Sequence, residues 1–169
     1  MRNRTTTLIT LVLALVLVGC SSPNAAPPAA PQVSVEGAWT RTTTGAKDPT
    51  MTAVFLTIVN PGSADVRLVG ADCARAGVVQ IHDMVTVDGR LVMQQVEGGV
   101  VVPSGSHLHL TPGGKHIMLM QLPAPLRVGE RVALTLHFSD GASVDVSAPV
   151  KEFVEEEDHY HSPSPSPSA

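Results

Sequence analysis

The stretch "IHDMVTVDGRLVMQQ", residues 81–95, decides the fold. Apolar and polar residues alternate on both sides of Asp88-Gly89, a pair strongly favoured in two-residue type I′ turns, so the segment reads as a β-hairpin. Such a turn fixes the register: Val87 pairs with Arg90 and, counting outward, Met84 faces Met93. Strand side chains alternate between faces, so His82, Met84 and Thr86 share one face with Leu91, Met93 and Gln95. His82 is then diagonal to Met93, with β-carbons about 7 Å apart, a gap that an imidazole and a thioether can close onto one shared atom.

The same pattern extends outward from the hairpin. Short alternating runs are cut by turn signals: "MTAVFLTIVN" before Pro61-Gly62, "VRLVGA", "VVQIHDMVTV", "RLVMQQV" before Gly98-Gly99, "HLHLT" before Pro112-Gly113-Gly114, "HIMLMQL", "RVALTLHF" before Asp140-Gly141, and "SVDVSAPV". No run has a convincing helical period. Many short strands in a chain of 169 residues predict one all-β domain, an antiparallel β-sandwich or Greek-key barrel. A hydrophobic share of 43% is enough for one core.

The two ends read differently. Arg2 and Arg4 precede an apolar run from Leu8 to Val18 that is too short for a span, which needs about 20 residues. Residues 1–19 are therefore a signal peptide, and "LVGC" at 17–20 resembles a bacterial lipobox, which predicts lipidation of Cys20 and anchoring to the outer face of the cell membrane. Residues 20–33 are small and Pro-rich, a tether. The globular part is 34–151, and residues 152–169, acidic and then Ser-Pro repeats, form a disordered tail. With Cys20 carrying lipid, Cys73 has no disulfide partner. Setting aside Arg2 and Arg4 leaves 9 basic against 15 acidic residues, a formal charge of −6 that offers nucleic acid nothing.

A second cluster lies beyond the hairpin. "GGKHIMLMQL" puts His116, Met118 and Met120 on one strand face and Ile117 and Leu119 on the other. A lone His-x-Met is ordinarily packing, because Met is a flexible core filler. Two such pairs, each sharing one face, point instead to a metal site. Thioether with imidazole suits Cu(I), whereas Zn²⁺ favours thiolate, imidazole or carboxylate. Thioethers also avoid the oxidation that removes thiolates outside the cell.

These residues resemble a known family. His82, ten intervening residues, Met93, then His116-Ile117-Met118 is similar to the H-x10-M-x21-H-x-M signature of the PCuAC family of extracytoplasmic copper chaperones. The likeness continues through "GAWTR" (38–42), "TIVNPGSADVRLVGA" (57–71), "VPSG" (102–105), "LTPGGKHIMLMQL" (110–122) and "PLRVGERVALTLHF" (125–138). It implies a cupredoxin-like antiparallel Greek-key β-sandwich and Cu(I) held by His82, Met93, His116 and Met118. It also implies delivery towards the CuA centre of cytochrome c oxidase subunit 2, alongside or through a Sco-type protein. One departure stands out: residues 94–115 make 22 between Met93 and His116 where the family pattern has 21. The extra residue is placed in the loop "VEGGV", with the register recovered before His116 by the intact "PGGKHIM".

Met84 and Met120 are accessory candidates. His159 and His161, beside the carboxylates of "EEEDHYH", suit Cu(II) and make a candidate weak site on the tail. His107, His109 and His137 read as structural or solvent-facing, and Trp39 as a core or site-lining anchor. Two other readings stand beside the chaperone. A cupredoxin-like electron-transfer protein would use Cys73 with two His and an axial Met, and a lipoprotein could bind something other than metal. No G-x-S-x-G and no acidic pair in a convincing cleft appears, so the chain reads as a monomeric carrier and not an enzyme.

Overall fold

The computed structural model describes residues 33–152. The expected signal peptide, Cys20, the expected tether as far as residue 32, and His159 and His161 of the expected tail lie outside the described residues. Ten strands follow in order: β1 (Ser34–Arg41), β2 (Thr52–Asn60), β3 (Val66–Asp72), β4 (Val78–Val87), β5 (Arg90–Gln95), β6 (Val100–Val102), β7 (Ser106–Leu110), β8 (His116–Met120), β9 (Arg131–Phe138) and β10 (Ser143–Lys151). No helix occurs among the described residues.

The strands form a hydrogen-bonded path β5-β4-β8-β2-β1-β10-β9-β3-β6, with β7 also pairing with β2. The path folds over on itself as two layers. One holds β5, β4, β8, β2, β1 and β7, and the other β10, β9, β3 and β6, joined where β1 meets β10. The sandwich is antiparallel as expected except at that junction, where Thr40 and Arg41 pair in parallel with Val150 and Lys151. The first and last strands meet side by side and so close the sandwich at one edge.

Alternation supplies the core. Ile58, Ile81, Ile117 and Leu119 of the first layer pack against Leu68, Val102, Leu136 and Val150 of the second. Val33, read from sequence as the end of the tether, is buried in this same cluster, so the core begins one residue earlier than its composition suggests.

The β4–β5 hairpin has the expected register, with Val87 opposite Arg90 and Met84 opposite Met93. Asp88 and Gly89 both take positive φ, at 51° and 76°, as a type I′ turn requires. The loop after β5 carries a second constraint. Gly99 has φ +78°, and a β-carbon there would lie 2.1 Å from the Leu68 carbonyl oxygen, so only glycine lets the chain cross this close to β3. Whatever the length of this loop, β8 returns in register: Ile81 stands opposite Ile117, and His82 opposite His116.

Candidate metal centre

The site lies on the outer face of the β5-β4-β8 sheet, on the side away from Ile81 and Ile117. Directly opposed residues of antiparallel strands point the same way. The cross-strand partners are Gln80 with Met118, His82 with His116, Met84 with Met93, and Val78 with Met120. All four expected ligands and both accessory methionines therefore share one face. His82 sits centrally, with Met93 diagonal on β5, His116 directly across on β8 and Met118 diagonal on β8. Sequence alternation placed each pair on a face, and the β4–β8 ladder places the two pairs together.

Exposure grades across the group. His116 is 3% exposed and Met118 6%, His82 is half-buried, and Met93 is 46% exposed. The burial of His116 comes from a row of rings across the sheet. Trp39 lies 4.7 Å from Phe55 between centroids, Phe55 6.2 Å from His116, and His116 5.9 Å from His82. Arg41 stands over Phe55 and Lys151 over Trp39 at the far end of the row. Trp39 therefore lines the site face, as one of the two sequence readings had it, whereas Phe55 carried no sequence signal.

Hydrogen bonds select the tautomer of each imidazole. The turn before β8 folds back, with Thr111 N–H donating to the Lys115 carbonyl and Gly114 N–H to that of Thr111. It presents the Gly114 carbonyl to His116 Nδ1 at 2.8 Å. A carbonyl only accepts, so Nδ1 carries the proton and Nε2 a lone pair. On His82, Nε2 faces Gln80 Oε1 at 2.9 Å, which leaves the lone pair on Nδ1. His82 Nδ1 and His116 Nε2 are both buried, and neither has a hydrogen-bond partner among the described residues. Buried ring nitrogens left unpaired are costly unless they bind something. Two metal–imidazole bonds of about 2 Å with the ring radii added span at least the observed 5.9 Å between ring centres, so one ion can reach both rings. The residues thus fit a metal ion. The donor set of two imidazoles and thioethers is neutral and soft, and among the described residues no three His, Cys, Asp or Glu converge to offer a harder one.

Burial, and then the neighbouring His116, push the pKa of His82 below its usual 6.5. Above about pH 6.5 the residue is neutral both folded and unfolded. Below it, the unfolded chain takes up a proton that the folded site resists, so stability falls with pH until the lowered folded pKa is passed. The metal-free domain should therefore lose thermal stability on acidification from pH 6.5, before its carboxylates titrate, and His82→Gln should flatten that slope. Melting curves across this window test it, and equal slopes in both proteins would count against it.

The remaining candidates lie elsewhere. Cys73 is a free thiol in the core cluster, on the opposite side of the sheet from the histidines, so the His₂Cys set of an electron-transfer copper site is not assembled. His107 and His109 stack on the exposed face of β7, with His109 Nδ1 bonded to Thr57 Oγ1. His137 bridges Ser143 and Asp72, the hydrogen-bonded role expected of it. Lys115 and Asp83 pair at 2.7 Å, tying the turn before β8 to β4 from the face opposite the two imidazoles.

A family model described as LpqE-like matches residues 33–150, which is the two-layer domain to within one residue of the end of β10. The chain belongs to the LpqE-like family. A relative from Leifsonia xyli subsp. xyli, "Putative lipoprotein Lxx21020", is 43% identical over 128 residues, which cover 76% of this chain and 75% of that protein. Among solved structures, the Cu(I) form of DR1885 from Deinococcus radiodurans is 31% identical, with a TM-score of 0.54 over 69% of this chain and 78% of that one. The copper-bound PCuAC domain of PmoF2 is similar in fold, with a TM-score of 0.59 at 24% identity, over 72% of this chain and 94% of that one. The LpqE-like domain is thus a cupredoxin-like β-sandwich of the PCuAC type.

Proposed function

We propose that this domain is an extracytoplasmic Cu(I) metallochaperone whose ligands are His82, Met93, His116 and Met118. The observation that carries the reading is the pair of buried ring nitrogens without a hydrogen-bond partner, His82 Nδ1 and His116 Nε2, on directly opposed residues flanked on the same face by thioethers. The copper-bound relatives support it by similarity. Two imidazoles and two thioethers carry no charge, so the ion enters and leaves without proton release from a thiol.

The exposure gradient gives the order of exchange. Met93, on the exposed strand, is the ligand an acceptor reaches first. An incoming thiolate or imidazole displaces it while His116 and Met118, both buried, hold the ion until a second acceptor ligand arrives. The acceptor is a Sco-type thiol protein or the CuA centre of cytochrome c oxidase subunit 2. Cys20 carries the lipid that keeps the monomeric domain at the outer face of the membrane, since two acyl chains give stable anchoring where one is marginal. His159 and His161 collect Cu(II) on the tail.

Mixing the Cu(I)-loaded protein with a metal-free CuA domain, then separating the two and measuring copper in each, tests the delivery. Copper should pass to the acceptor, and should pass faster from Met93→Leu, in which the position an acceptor ligand takes is already open. Retention of all copper by the donor at equal concentrations would overturn delivery to this acceptor.

A further inference from the structure

We infer that Gln80 is a positioning residue that dictates which nitrogen of His82 binds the ion. The inference rests on the Cu(I) reading for its effect on affinity, but not for its effect on the imidazole itself. Gln80 precedes His82 by two residues on β4, so both side chains rise from the same face, and Gln80 Oε1 lies 2.9 Å from His82 Nε2. Either orientation of the amide would leave His82 Nδ1 buried and alone. With Oε1 towards the ring, Nε2 holds the proton and Nδ1 is a lone pair ready to bind. With the NH₂ towards the ring, Nδ1 would carry a buried, unanswered N–H and the imidazole would offer copper nothing.

The resulting tautomers are complementary. His82 and His116 stand directly opposite on adjacent strands, with β-carbons about 5 Å apart. Nδ1 is the ring nitrogen nearer the backbone and Nε2 the farther one. An ion over the sheet is thus met by a short arm from β4 and a long arm from β8. Gln80 sets the first, as the Gly114 carbonyl sets the second. Outer hydrogen-bond partners of this kind orient metal-bound histidines and fix their tautomer.

The test uses Gln80→Leu, which is one atom shorter but of similar bulk and accepts no hydrogen bond, and Gln80→Glu, which keeps an acceptor oxygen. The ¹⁵N shifts of His82 in the metal-free protein should report Nε2–H in the wild type and in Gln80→Glu, and a mixture of tautomers in Gln80→Leu. Cu(I) affinity should fall by about 10- to 100-fold in Gln80→Leu and recover in Gln80→Glu. A His82 tautomer unchanged in Gln80→Leu would overturn the inference, as would an affinity loss that Gln80→Glu does not restore. Failure of the wild type to bind Cu(I), with the tautomer shift still present, would sink the chaperone reading and leave the positioning role intact.

Discussion

His116→Ala should lower Cu(I) affinity by more than about 100-fold, beyond the 10- to 100-fold typical of losing an outer partner, because it removes a ligand itself. His116 is the most buried of the four, held between Phe55 and His82 and oriented by the Gly114 carbonyl, so water replaces it poorly. His82→Ala should cost a similar amount, since His82 is central to the group. Met93→Leu and Met118→Leu should each cost less, as a single thioether among four ligands, with Met84 or Met120 standing near enough to substitute in part. Leucine nearly conserves the volume of methionine, so even at buried Met118 the fold should lose under about 1.5 kcal/mol. Competition titrations with a Cu(I) chelator and melting curves of the metal-free variants separate the two effects. Cu(I) should also raise the melting temperature of the wild type by mass action and fail to do so in the histidine variants. Wild-type affinity in His116→Ala would contradict the assignment.

Ile117→Ala should be among the most damaging single changes to the fold, at about 2–5 kcal/mol, against a total of about 5–15 kcal/mol for a domain of ordinary stability. Ile117 is fully buried and stands opposite Val54 on β2 and Ile81 on β4. It is also the residue between His116 and Met118, pointing into the core while they point to the site. Its truncation leaves a cavity beneath the strand that presents half the ligands, so a loss of Cu(I) affinity should accompany the loss of stability. Chemical denaturation of the metal-free variant measures the first and chelator competition the second. A loss below 1 kcal/mol on the scale of ordinary core truncations would mean that β8 is not packed as described.

The contrast between these two residues explains what was legible from sequence. Strands with clean alternation and a turn at each end were readable: the segments now seen as β4 and β9 match the quoted runs at both boundaries, and the Asp88-Gly89 turn gave the β4–β5 register. β1 was not readable as a strand, because its pairing with β2 shifts between Glu36 and Trp39, where Gly37 takes positive φ, and the shift breaks the period of two. β6 has only three residues, too few to show a period. The parallel β1–β10 contact joins residues more than a hundred positions apart, and no local pattern encodes it.

The site was legible to the same depth. Parity put His82 with Met84, and His116 with Met118, but nothing local says that β4 and β8 are neighbours. Hence the direct opposition of the two histidines came only with the ladder. Gln80 and Phe55 escaped notice because glutamine on a strand and phenylalanine in a core run are ordinary until their partners are known. The extra residue between Met93 and His116 proved harmless to register, since β8 pairs with β4 and β2 without a shift.

A Cu(I) competition titration of the Met93→Leu, Met118→Leu double variant beside the wild type asks directly whether the thioethers are ligands. The wild type should bind one Cu(I) tightly. The double variant should bind it much more weakly while melting close to the wild-type metal-free temperature. Equal Cu(I) affinity in the two proteins would mean that the thioethers on this face are packing, and would contradict the copper site and the chaperone function built on it.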